Sequence, residues 1–219
     1  MVIISFGGKW VESQFIKINH PEYVYHGTTS GSLSGFGINL IDINYWKMNK
    51  DFGRGFYTTI DLAQAQEWAL KRAEQDPNEQ ACVLQIRCDL SYDLTRVRQH
   101  IFLGESRQWS DYILIHRLSE PDEKTDPCNN EGWEHFDVVI GPMADNNTGG
   151  LIDKYKANFH DRDWFYQNIR MSANGDARQG LGLGNQIVYC DETLAQKFLH
   201  LHSYWVYDEN KEEWHHENE

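Results

Sequence analysis

The sequence predicts an α+β fold, and three observations carry that expectation. Strand-like and helix-like segments are interspersed along the chain, with no internal repeat and no low-complexity block. Ala81 to Asp89 alternates in the strand manner, with Cys82, Leu84, Ile86 and Cys88 on one face and Gln85, Arg87 and Asp89 on the other. Leu62 to Ala73 is rich in helix formers and sets Leu62, Ala65, Ala69 and Ala73 on one stripe at steps of three and four.

In chain order, Glu22 to His26 alternates as a strand and runs into Gly27-Thr28-Thr29-Ser30-Gly31-Ser32, which reads as a turn and leaves His26 at a strand end. Asp61 is placed to cap the helix Leu62 to Ala73. Arg107 to Leu118 suits a second helix, because Trp109, Tyr112, Ile113 and His116 share a side. Glu120 to Glu131 holds two prolines and many charges and reads as a loop. Phe136 to Pro142 is a short apolar strand stopped by Gly141-Pro142. A helical segment around Trp164 to Met171 follows, then a glycine-rich loop from Asn174 to Gly184. Gln186 to Cys190 reads as a β-branched strand, and Asp191 caps a helix expected over Glu192 to Leu201.

With 219 residues, 40% of them hydrophobic and 13% aromatic, the chain has apolar material for one sizeable core. A single domain over 1–207 is expected, followed by an acidic, flexible tail over 208–219. No apolar run approaches the roughly 18 residues a membrane span needs, and the first residues lack the basic start of a signal peptide, so a soluble, cytoplasmic protein is expected. Cys82, Cys88, Cys128 and Cys190 lack CxxC spacing, which favours neither a zinc site nor a disulfide framework. His215 and His216 are adjacent histidines in the acidic end and are not read as a metal site. The formal charge of −13 repels phosphates at long range and disfavours nucleic acid as a target, while leaving room for a local basic groove.

His26, Tyr57 and Gln186 stand at the ends or edges of short strands. Singly, His26 reads as a turn or capping residue and Tyr57 as core. The glycines of Asp51-Phe52-Gly53-Arg54-Gly55-Phe56-Tyr57 fit neither phosphate-loop spacing, and they allow a bend or the close approach of a flat ligand. Together and in order, the three resemble the His-Tyr-Glu triad of the diphtheria-toxin and poly(ADP-ribose) polymerase branch of ADP-ribosyltransferases. Tyr25-His26-Gly27-Thr28 is similar to that family's His-Gly strand, Gly53-Arg54-Gly55-Phe56-Tyr57 to its glycine-tyrosine segment, and Asn185-Gln186-Ile187-Val188-Tyr189 to the strand that carries its glutamate. The whole set, with Gln64-Ala65-Gln66-Glu67-Trp68-Ala69 and Ile140-Gly141-Pro142-Met143-Ala144-Asp145, resembles a bacterial family of transferase-like toxins labelled a domain of unknown function, over about residues 22 to 201.

The resemblance implies split antiparallel sheets around an NAD cleft with flanking helices. NAD is then the co-substrate, bound by His26, Gly27, Thr28, Tyr57 and Trp68, with His26, Tyr57 and Gln186 as the catalytic set. It implies that His26 holds the adenosine ribose, that the Gly27 backbone holds the nicotinamide amide, and that Tyr57 packs on the nicotinamide. Trp68 is either a further stacking aromatic or core. Gln186 departs from the family's glutamate and keeps a hydrogen bond while losing a base. That departure favours transfer of single ADP-ribose units over chain elongation. Glu192 lies too deep in its helix to replace the base, and Asp51 or Glu131 are candidate carboxylates whose geometry the sequence leaves open. The implied partners are a macromolecular acceptor, protein before nucleic acid, and a neutralising antitoxin or immunity protein. A catalytically inactive NAD- or ADP-ribose-binding module and a plain interaction domain are the alternatives.

Overall fold

The computed structural model describes residues 3–6, 9–12, 20–91, 97–127, 136–144, 148–158, 160–170 and 184–218. Strands β1 (Ile3–Phe6) and β2 (Lys9–Glu12) form an antiparallel pair. They are followed by β3 (Tyr23–Thr29), α1 (Ser30–Ile38), β4 (Phe56–Thr58), α2 (Leu62–Ala73), β5 (Ala81–Cys88) and β6 (Gln99–Ile101). The second half contains α3 (Arg107–Leu118), β7 (Val138–Pro142), α4 (Thr148–Asn158), α5 (Arg162–Ile169), β8 (Asn185–Tyr189), α6 (Glu192–Phe198), β9 (Leu199–Asp208) and β10 (Glu213–Asn218). The fold is α+β, as the interspersed periodicities predict.

The larger strands build two four-stranded sheets, ordered β10-β9-β5-β3 and β4-β8-β7-β6. All pairs are antiparallel except β6 with β7, which departs from the wholly antiparallel expectation. A parallel pair needs a crossover, and α3 lies in the connection between these two strands. Among the described residues the sheets touch at their edges through one isolated bridge, in which Tyr25 N–H donates to Thr59 O at 2.8 Å and Thr59 N–H donates to Tyr25 O at 2.9 Å.

Three apolar clusters follow from this layering. Val24, Leu84 and Ile86 of one sheet meet Phe56, Ile187 and Tyr189 of the other, closed by Phe198. Val139 and Val188 pack outward onto Trp109, Tyr112 and Ile113 of α3 and Phe165 and Ile169 of α5. Ala65, Ala69 and Ala73, the small stripe legible in the sequence, let α2 lie close on Val83 and Tyr25. Asp61 caps α2 as expected, accepting from Ala63 N–H at 2.9 Å and Gln64 N–H at 3.3 Å.

Three expectations are corrected. The Gly27-to-Ser32 segment is not a turn: β3 keeps its register with β5 as far as Thr29 opposite Ala81, and α1 starts at Ser30. Neighbouring β5 supplies a continuous ladder, which overrides the local turn preference of glycine and serine. The last helix stops at Phe198 because Leu199 enters β9 opposite Cys88. Residues Glu213–Asn218, expected in a flexible acidic tail, instead form β10 against β9. There Trp214 sits 5.3 Å from Tyr207 and His216 4.6 Å from Trp205 between ring centroids, so aromatic cross-strand pairs outweigh the acidic composition. Glu131, Met171, most of the loop from Asn174 to Gly184 and the end of the Glu120-to-Glu131 loop lie outside the described residues. Among the described residues, no helix is long and apolar enough to cross a membrane.

Candidate functional site

The edge where the two sheets part is set by backbone direction. Cys88 N–H donates to Glu22 O at 2.8 Å and Ser30 N–H donates to Gln80 O at 2.9 Å, one at each end of the β3–β5 ladder. Antiparallel pairing alternates, so Val24, His26 and Thr28 bond toward β5, whereas Tyr25 and Gly27 aim N–H and C=O the other way. Tyr25 uses its groups on Thr59. Gly27, itself buried, lies two residues past that bridge and points its N–H and C=O to the side of β3 that has no strand partner there among the described residues.

His26 spans the gap. Its Nδ1 is 2.7 Å from Tyr57 O, and a carbonyl only accepts, so Nδ1 carries the proton. Burial holds the imidazole below its ordinary pKa; the Tyr57 bond opposes that shift and the Arg72 charge adds to it. The ring is therefore neutral, with Nε2 a lone-pair acceptor. It stacks on Phe56 at 4.9 Å and meets Phe36 edge-on at 5.4 Å, which fixes its plane.

On the opposite face of β3, a Cβ at Gly27 would lie 2.4 Å from Ala65 O, 3.1 Å from Ala69 N and 3.2 Å from Trp68 Cδ1. The missing side chain is thus required by the backbone of α2. Trp68 is 43% exposed and borders Gly27, so it is not core; His26 and Trp68 flank the open edge from its two faces. Thr28 is only 4% exposed within the strand and offers a ligand little surface.

Tyr57 faces Val188 across β4 and β8, and Gln186, two residues from Val188, shares that face. Both side chains converge on the turn at 51–53. The Tyr57 hydroxyl donates to Gly53 O at 2.7 Å and accepts from Phe52 N–H at 3.0 Å. Gly53 has φ +74°, a conformation that explains one of the segment's glycines by a bend. Burial first, then the Asp51 charge, pushes the phenol well above its ordinary pKa, so it stays protonated.

Gln186 is 5% exposed, and its Nε2 donates to Asp51 Oδ2 at 3.5 Å and to Pro142 O at 3.4 Å. Asp51 is 6% exposed and accepts through Oδ1 from Arg117 Nε at 2.7 Å. Arg117 also donates to Asn49 O at 3.3 Å. Of the two carboxylates raised from sequence, Asp51 is therefore beside Gln186. Arg117 was not singled out: its only local signal is a basic residue in the last turn of α3. Glu192 stands in the first turn of α6 on the wall of a separate cavity of about 530 Å³, which Phe52, Arg54, Tyr112 and Cys190 also line. None of His26, Gly27, Tyr57, Trp68 or Gln186 lines that cavity. Burial, and then the nearby Asp126, Asp137 and Asp191, push the Cys190 thiol far up, which disfavours the thiolate there.

A family model described as "Protein of unknown function (DUF3990)" matches residues 23–179. The chain belongs to the DUF3990 family. The DUF3990 match takes in His26, Gly27, Thr28, Asp51, Tyr57, Trp68 and Arg117 and ends before Gln186, so β8 completes the cluster from beyond the matched segment. No curated protein and no solved structure matches the chain.

Proposed function

We propose that the chain is an NAD-dependent mono-ADP-ribosyltransferase that transfers ADP-ribose to a macromolecular target and releases nicotinamide. The observation that carries this reading is the open β3 edge, where the outward N–H and C=O of Gly27 lie between a neutral His26 and the half-exposed Trp68. A primary amide such as that of nicotinamide has one acceptor and one donor group, which complements an outward N–H and C=O on a single residue. The Nε2 lone pair of His26 is suited to accept from a ribose hydroxyl. Two four-stranded sheets with flanking helices agree with the split-sheet arrangement that the resemblance to ADP-ribosyltransferases implies, apart from the parallel β6–β7 pair.

Departure of nicotinamide as a neutral ring leaves oxocarbenium character on the ribose, so the protein's task is orientation and charge stabilisation. Gln186 supplies a hydrogen-bonding amide and no base, which fits transfer of single units to an acceptor that brings its own nucleophile. The charge of −13 makes a protein acceptor the better candidate than nucleic acid. A toxin-like role inside a bacterial cell, beside a neutralising partner, completes the proposal.

The test is incubation of labelled NAD and a lysate with the wild type and with His26→Ala, Tyr57→Ala and Gln186→Ala. Transfer of label with nicotinamide release, lost in His26→Ala, is the expected outcome; release at the His26→Ala level in the wild type removes the enzyme reading. A non-catalytic NAD-binding module is the second reading, favoured by the commitment of Asp51 to Arg117 and Gln186. It gives an NAD-dependent rise in Tm without nicotinamide release.

A further inference from the structure

Gln186 is held in one orientation by its neighbours. The two groups its Nε2 faces, Asp51 Oδ2 and Pro142 O, are acceptors. A flipped amide would put Oε1 against a carboxylate and a carbonyl, so the NH₂ end is committed to Asp51 and Pro142 and Oε1 is the atom left to accept. Asp51 is in turn held by Arg117, whose Nε and terminal nitrogen both reach Oδ1. Arg117 thus leaves Oδ2 for the glutamine.

We infer that Asp51 is a positioning residue which fixes Gln186 as a hydrogen-bond acceptor toward bound substrate, and which makes position 186 unable to hold an ionised carboxylate in the ordinary glutamate range. A glutamate at this position would bring a second carboxylate against Asp51 in a site where both residues are more than nine-tenths buried. Two carboxylates sharing such a site share a proton. Among the described residues, the guanidinium in contact with the pair is that of Arg117, already engaged with Asp51. The other titratable groups facing the pair are Tyr57, Lys50 and His116. Tyr57 from β4 stays a neutral phenol. Lys50, next to Asp51, has its pKa lowered by burial and then by the Arg117 and Arg72 charges, and raised by Asp51 itself. His116 of α3, whose ring is what a Gly53 side chain would strike, has Nε2 3.3 Å from Asp126. The acceptor role toward substrate rests on the NAD reading above; the incompatibility of the two carboxylates does not.

The experiment titrates the introduced side chain in Gln186→Glu by ¹³C NMR, in the full chain without ligand, and repeats the titration in Gln186→Glu/Asp51→Asn. The midpoint in Gln186→Glu should lie at least about one pH unit above that in the double variant, a tenfold difference in ionised fraction at any pH below both. Coincident midpoints overturn the inference. Should that double variant not fold, Gln186→Glu/Asp51→Ser is titrated in its place, and the same difference of about one pH unit decides. NAD hydrolysis gained by Gln186→Glu should follow the same raised midpoint in its pH profile, and follow the lower one in the double variant. If NAD shifts the Tm of none of these proteins, the NAD reading fails while the titration result stands.

Discussion

Replacing Tyr57 by phenylalanine separates what its hydroxyl does from what its ring does. The hydroxyl is the partner of two backbone groups in the turn at 51–53, accepting from Phe52 N–H at 3.0 Å and donating to Gly53 O at 2.7 Å. Phe52 is 1% exposed, so water does not readily replace the lost acceptor. Leaving a buried amide unsatisfied costs about 1–3 kcal/mol. For a chain of this size each kcal/mol lowers Tm by roughly 2–4 °C, so a fall of roughly 4–8 °C is expected for a cost of about 2 kcal/mol. The ring of Tyr57 is retained, and with it the surface offered to a flat ligand. The increment in Tm produced by saturating NAD should therefore survive in Tyr57→Phe and disappear in Tyr57→Ala. Differential scanning fluorimetry with and without NAD measures both quantities. Unchanged stability with a lost NAD increment would mean that the hydroxyl serves the ligand and not the turn, and would refute the assignment.

Gly27→Ala sets a Cβ 2.4 Å from Ala65 O, and overpacking against helix backbone should cost about 1–3 kcal/mol in urea unfolding. Because the displaced element carries Trp68 at the strand edge, the NAD increment should fall as well; wild-type stability would contradict the packing described. Burial lowers the His26 pKa, so on acidification the unfolded chain takes up its proton first. Stability present above about pH 6.5 is then lost as pH falls toward the folded-state value, at no more than about 1.4 kcal/mol per pH unit for one group. Tm of the wild type should drop more between pH 7.5 and 5 than that of His26→Gln, and equal slopes would count against a half-buried neutral imidazole. Asp61→Ala removes an acceptor for Ala63 and Gln64 and should cost about 1 kcal/mol in the same urea assay, with no loss meaning that another group caps α2.

Much of the secondary structure was legible because it is encoded locally. The alanine stripe of α2, its Asp61 cap and the shared side of Trp109, Tyr112, Ile113 and His116 in α3 are periodic signals within one element, and both helices have the bounds that those signals predict. The errors fall where a partner strand decides. Gly27 to Thr29 stay extended because β5 lies beside them, and Glu213–Asn218 become a strand because β9 does. Only β5 is distant from its partner; β9 ends at Asp208 just before β10 begins at Glu213, and there the acidic composition hid the aromatic pairing.

For the candidate site, the sequence by itself nominated the residues, His26, Gly27, Thr28, Tyr57, Trp68 and Gln186, with glutamine where the resemblance leads one to expect glutamate. Tertiary structure decided which atoms each one offers. The tautomer of His26 depends on Tyr57 O, 31 residues away, and the amide orientation of Gln186 depends on Asp51, 135 residues away. Hydrogen bonds are directional over about 3 Å, and no periodicity along the chain carries that information. Only the folding of β3, β4 and β8 against one another brings those groups within reach, and only Arg117 on α3 settles which oxygen Asp51 has left to give.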